Sequence, residues 1–171
     1  GDYADLFDNK WVSVLRNQQN GQSGLDVTVA FHKFVRDSIA ANVPFDQFVR
    51  TILAASGDAR TVPAANWFAQ VSTPTVVAED VAQLFLGMRL QCAHCHHHPF
   101  EKWTQDDYFG LTAFFTRVKR EQVKIDAKQP NTRRMTISFD PGVAQSLNPR
   151  TKLNVKPTPL EGEPLVLADT Q

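Results

Sequence analysis

The chain has 171 residues, enough for a well-cored fold, and 42% hydrophobic content with 10% aromatics indicates that such a core exists. Eighteen basic residues balance eighteen acidic ones, so no net field draws the protein onto nucleic acid or an anionic membrane. No stretch approaches the roughly 20 apolar residues of a membrane span, and two cysteines three positions apart exclude a multi-disulfide scaffold.

The first expected element is a helix from Tyr3 to Leu15, with Tyr3, Leu6, Phe7, Trp11, Val14 and Leu15 tracing one face. A polar loop follows over 17–24. The second helix runs from an N-cap at Asp26 to Ala41, burying Val27, Phe31, Phe34 and Val35 and ending before Val43-Pro44, with His32 just off the stripe. The third starts at Asp46, turns Phe48, Val49, Ile52 and Leu53 inward and stops at Gly57, a common terminating position for glycine. Residues 58–72 read as a loop with Trp67 and Phe68 tucked beneath the third helix.

Thr73-Pro74, a cap and a first-turn proline, launches a fourth helix through Val77, Val81, Leu84, Phe85 and Met88 that delivers the chain to Cys92. The fifth begins at Thr104, where Asp107 completes a capping box with Asp in place of Glu, and carries Tyr108, Leu111, Phe114, Phe115 and Val118. Beyond Arg120 the pattern changes to short β-like runs at Val123–Ile125, Met135–Phe139 and Leu153–Val155, with turns at Asp140-Pro141-Gly142 and Asn148-Pro149. The expected fold class is therefore mainly α: about five helices over 1–120, and a short β-rich C-terminal arm over 121–171 belonging to the same domain. The abrupt helical opening and the Pro-rich close suggest a piece of a longer protein.

Residues 92–98 read Cys-Ala-His-Cys-His-His-His, which places both cysteines and four of the five histidines within seven positions. Its core, Cys92-Ala93-His94-Cys95-His96, is the C-x-x-C-H pattern of c-type haem attachment. From ordinary composition such a match arises in on the order of one chain in a thousand of this length. Two thiols one helical turn apart match the spacing of the two haem vinyl groups, and the adjacent His96 reaches the iron from the same face. Phe100, Trp103, Tyr108, Phe114 and Phe115 are candidates for the apolar wall around the macrocycle.

For the other axial position His97 and His98 sit beside the proximal residue, and Met135, His32 and Met88 are the remaining candidates; each is also an ordinary core or surface residue. An open sixth position is a further option. A rival is a zinc site drawn from Cys92, Cys95 and two of His96, His97 and His98, although structural zinc sites usually take their second ligand pair from a separate segment. A thiol–disulfide couple needs a helix N-terminus to lower a thiol pKa, and here the pair follows a helix.

Glu79-Asp80 and Asp106-Asp107 read as acids complementing helix starts. Arg117 to Arg120 reads as cations at a helix C-terminus, and Arg133-Arg134 lies in a loop; either group is a candidate docking patch for an acidic redox partner. No phosphate loop, nucleophile elbow or H-E-x-x-H occurs. An enzyme of extracellular carbohydrate would be marked by an aromatic-lined cleft with convergent carboxylates.

The sequence resembles a planctomycete family, the cytochrome-c-like second module that follows an N-terminal planctomycete cytochrome c and precedes an uncharacterised domain. The likeness rests on Val35-Arg36-Asp37, residues 42–50 (Asn-Val-Pro-Phe-Asp-Gln-Phe-Val-Arg), Phe85-Leu86-Gly87, residues 90–100 from Leu90 to Phe100, Asp106-Asp107-Tyr108-Phe109, and the closing Pro149-Arg150-Thr151 and Val155-Lys156-Pro157. The family pattern usually has Asp where His97 stands and another polar residue where His94 stands; neither departure touches Cys92, Cys95 or His96.

The resemblance implies an exported, multi-domain, haem-linked protein and gives no substrate. The expectation is thus a haem c domain in electron transfer, at the periplasm or cell surface, with other domains of the same chain and a redox protein as partners. The alternative is a non-redox interaction module stabilised by Zn2+.

Overall fold

The structure is a computed structural model that describes residues 2–18, 24–71, 73–124 and 133–165. These residues form six α-helices, α1 (Asp2–Val14), α2 (Leu25–Ala40), α3 (Phe45–Leu53), α4 (Asn66–Gln70), α5 (Pro74–Asp80) and α6 (Gln105–Ala113). Five short strands accompany them: β1 (Gly57–Asp58), β2 (Val118–Lys124), β3 (Arg133–Phe139), β4 (Ser146–Leu147) and β5 (Asn154–Val155). A mainly helical chain with small sheets is as expected, with one helix more than the five foreseen.

The chain divides into two compact units, Gly1–Ser72 with Lys119–Phe139, and Thr73–Val118 with Asp140–Gln171. This differs from a helical core over 1–120 with an arm over 121–171. Backbone pairing draws β3 into the first unit, and hydrogen bonds to α6 draw the segment after Asp140 into the second. Ile125, at the end of the first expected β run, lies outside the described residues.

In the first unit α1 packs on α2 through a face only partly shared with the one its apolar residues trace. Leu15 is buried as expected, but Tyr3, Leu6 and Val14 are 69%, 56% and 47% exposed, and Ala4 and Asp8 are buried in their stead. A carboxylate occupies this inward position because α2 supplies its partners: His32 Nε2 lies 3.2 Å from Asp8 Oδ2, and Arg36 Nε lies 2.7 Å from Asp5 Oδ1 and 3.8 Å from Asp8 Oδ2. The Asp5–Arg36 hydrogen bond holds the Asp5 carboxyl below its usual range and the Arg36 guanidinium above its own.

The N-cap of α2 is Gly24, with Asp26 in the first turn, and α3 closes at Ala54. Gly57 serves the sheet instead: at φ +111°, a value that disfavours side chains, it pairs with Ile137 of β3. The stretch read as a loop contains a 3-10 turn over Pro63–Ala65 and then α4, which holds Trp67 and Phe68 fully buried. β3 runs between β1 and β2, with Gly57 opposite Ile137 and Asp58 opposite Thr136 in an antiparallel ladder.

In the second unit α6 is the central element, contacted by α5, β4, β5 and the turn that carries Cys92. It is buried nearly all round, from Gln105 through Tyr108, Phe109, Leu111 and Ala113. The tail lies against its Gly110: Thr158 N–H donates to Gly110 O at 3.1 Å, and a Cβ at Gly110 would come within 2.9 Å of Thr158 Cβ. Asn148 anchors the same tail, donating from Nδ2 to Asp106 Oδ1 at 2.7 Å.

Candidate functional site

α5 begins as expected, with the Thr73 hydroxyl accepting from Val76 N–H and Pro74 in the first turn. After Asp80 it widens into a π-helical turn over Val81–Phe85, and Gly87, at φ +69°, ends it in the left-handed conformation. Met88 therefore lies beyond the helix and half-buried, not on its buried stripe. Four residues later Gln91–His94 forms a 3-10 turn, and Ala93 is its buried anchor. Cys92 and Cys95 are both exposed free thiols.

The four histidines of the cluster have distinct surroundings. His94 is a half-buried packing residue: its ring stacks on Tyr108 at 4.8 Å and 10°, and meets Phe109 edge-on at 5.8 Å. His96 is exposed and its Nδ1 lies 2.6 Å from the His97 carbonyl oxygen. A carbonyl only accepts, so Nδ1 carries the proton and Nε2 of the neutral ring keeps an outward lone pair. His97 is exposed, and His98 is half-buried with Nδ1 accepting from Phe100 and Glu101 N–H at 3.3 and 3.0 Å.

The floor of the site is α6. The capping box forms as expected, with Thr104 Oγ1 accepting from Asp107 N–H at 3.2 Å and Asp107 Oδ2 accepting from Thr104 N–H at 2.8 Å. The buried Gln105 donates from Nε2 to the His94 carbonyl at 3.0 Å, tying the turn to the helix; its Oε1 is buried without a hydrogen-bond partner among the described residues. Tyr108 is fully buried and donates from its hydroxyl to Glu79 Oε1 at 2.8 Å. Burial first, then this hydrogen bond to a carboxylate, pushes its phenol far above the usual range.

Glu79 therefore lies near the end of α5 as the acceptor for Tyr108, not at a helix start, whereas Asp106 and Asp107 do lie in the first turn of α6. The Tyr108–Glu79, Gln105–His94 and Asn148–Asp106 contacts were not foreseen, because each joins residues distant in sequence. Phe100 is 92% exposed and Leu86 51% exposed, while Trp103 is buried and donates from Nε1 to Glu101 Oε2 at 2.7 Å.

Two of the other expected ligands belong to the first unit. Met135 is buried in β3 of the first unit, where its carbonyl accepts from Ala59 N–H at 3.0 Å. His32 pairs with Asp8 in that unit. Of the expected docking cations, Arg117 bonds the Asp140 carbonyl, Arg120 Nε donates to the Phe68 carbonyl at 2.6 Å, and Arg134 Nε lies 3.6 Å from Asp58 Oδ2. Desolvation lowers the Arg120 guanidinium below its ordinary value. The Arg133 side chain lies outside the described residues.

An aromatic cleft of about 160 Å³ in the first unit is lined by Tyr3, Phe7, Trp11, Phe45 and Phe48 with Ser38 and Asn42, and no carboxylate is among its lining residues. Among the described residues no three His, Cys, Asp or Glu side chains converge as a metal-binding group, and no helix is long and apolar enough to cross a membrane.

Residues 1–120 match the family model PSCyt2, described as a protein of unknown function (DUF1549). The chain belongs to the PSCyt2 family. The matched stretch takes in α1 to α6 and the whole cluster from Cys92 to His98 of this PSCyt2 member. Neither the curated proteins nor the solved structures contain a match to it.

Proposed function

We propose that this PSCyt2 domain holds one c-type haem through thioether bonds to Cys92 and Cys95, with His96 Nε2 as the proximal ligand. Its role is electron transfer within a larger exported protein. The observation that carries the reading is the state of His96: its Nδ1–H is spent on the His97 carbonyl, which orients the ring and leaves the Nε2 lone pair free in the same short segment as two exposed thiols. A haem asks the protein for one nitrogen and two sulfurs, so it is compatible with a site where three metal-ligating groups do not converge.

When bound, the group supplies one-electron chemistry at iron. The chain's own residues do the rest. Cys92 and Cys95 present their sulfurs from a turn anchored by Ala93 and by Gln105. Leu86 and Phe100 offer exposed apolar surface next to the motif in sequence, which a macrocycle would remove from water. His94 stacks on the buried Tyr108 and so packs the turn against α6.

Covalent haem attachment requires thiols handled outside the bacterial cytoplasm, which supports a periplasmic or cell-surface location. Other domains of the parent chain and a redox protein are the partners this role calls for. The test is co-expression with haem-maturation machinery, followed by haem staining of the denatured polypeptide. Wild type should stain and Cys92→Ser/Cys95→Ser should not; staining that survives the double substitution, or a wild type that never stains, rejects the reading.

A further inference from the structure

We propose that His98 is a positioning residue rather than a ligand: its imidazole acts as the hydrogen-bond acceptor of a turn that presents Cys92, Cys95 and His96. The inference rests on the haem reading for its purpose and on independent geometry for its substance.

Two backbone amides point at one ring nitrogen. Phe100 and Glu101 N–H both approach His98 Nδ1, so that nitrogen holds a lone pair, and in the neutral ring the proton sits on Nε2. Such a ring has no free lone pair for a metal. It is the reverse tautomer of His96, whose Nδ1 must be the protonated nitrogen.

The same loop occurs a second time in this unit with asparagine. Asn148 precedes Pro149, its Oδ1 accepts from Arg150 and Thr151 N–H at 3.0 and 3.4 Å, and its own N–H donates to the Leu153 carbonyl five residues on at 2.9 Å. His98 precedes Pro99, its Nδ1 accepts from the amides two and three residues on, and its backbone N–H donates to the Trp103 carbonyl five residues on at 2.8 Å. Asparagine does this because its short side chain caps its own following backbone. In His98 the Nδ1 atom occupies the place of that oxygen, since both are the second atom beyond Cβ.

The substitution series follows from that equivalence. His98→Asn keeps an acceptor where Nδ1 stands, His98→Gln moves it one bond further out, and His98→Ala removes it. Covalent haem yield in cells with maturation machinery should stay within about twofold of wild type for His98→Asn and fall about tenfold for His98→Ala and His98→Gln, the scale of losing an acceptor that two amides share. A His98→Asn yield as low as that of His98→Ala would overturn the inference and leave the haem reading standing.

A measurement on the haem-free chain separates the two. Long-range proton–nitrogen correlation spectra should give the Nε2–H tautomer for His98 and the Nδ1–H tautomer for His96. Phe100 and Glu101 amide exchange should be slow in wild type and His98→Asn and about tenfold faster in His98→Ala. If the wild type takes up no haem yet these signatures appear, the haem reading fails and the positioning role stands. An Nδ1–H tautomer at His98 overturns the role outright.

Discussion

Replacing Tyr108 with Phe removes one oxygen from the centre of the second unit, and its consequence fades as pH rises. The hydroxyl donates to the Glu79 carboxylate at 2.8 Å. A hydrogen bond to a charged group contributes about 1.5–3 kcal/mol, and because Glu79 is half-buried and water can replace the phenol there, the lower end, about 1.5 kcal/mol, applies near neutral pH. Burial raises the folded-state pKa of Tyr108 well above the ordinary 10.0. A raised phenol pKa means that the folded state keeps a proton the unfolded chain releases, so this contribution is intact below the ordinary value and is lost as pH rises beyond it.

One pH unit above that value the loss is about 1.4 kcal/mol, which nearly cancels the lost hydrogen bond. Tyr108→Phe should therefore be less stable than wild type by about 1.5 kcal/mol near pH 8 and of equal stability near pH 11. Urea unfolding followed by far-UV circular dichroism at the two pH values reads this directly, with the other titrating groups common to both proteins. A difference that is the same at both pH values would refute the burial argument, and no difference near pH 8 would refute the hydrogen bond.

Thr104→Ala, which removes half of the capping box, should lower unfolding stability by about 1 kcal/mol in the same assay, with Thr104→Ser close to wild type. Gly110→Ala should destabilise by about 1–3 kcal/mol despite the better helix propensity of alanine, because the new methyl meets Thr158; thermal melting of the single variant and of Gly110→Ala/Thr158→Gly should give partial recovery in the double. Gly57→Ala should cost about 1–3 kcal/mol from its φ of +111° alone, since the added Cβ makes an ordinary 3.4 Å contact with Val62; a neutral result in denaturant titration would contradict the backbone argument.

What could be read from the sequence was what is encoded locally. Thr73-Pro74 and Thr104 with Asp107 specify their helix starts within four residues, and both caps form. The cluster from Cys92 to His98 is likewise visible as a string. The face of α1 was only partly so, because its inward position at Asp8 is polar and is partnered at Oδ2 by His32 and Arg36 from another helix, which periodicity in one segment does not record. Gly57 was read as a helix stop because glycine signals a left-handed backbone without saying which element requires it. The four clustered histidines look interchangeable in sequence, and their roles separate through neighbours: Tyr108 for His94, the His97 carbonyl for His96, and the Phe100 and Glu101 amides for His98.

The central claim is that Cys92, Cys95 and His96 hold a haem. The most direct measurement is the visible spectrum, oxidised and dithionite-reduced, with a pyridine haemochrome assay, on chain exported to a periplasm equipped for haem maturation. The account predicts a Soret band and the haemochrome of a haem with both vinyl groups saturated, at one haem per chain. A colourless protein carrying stoichiometric zinc would contradict it and assign the same residues to a metal site.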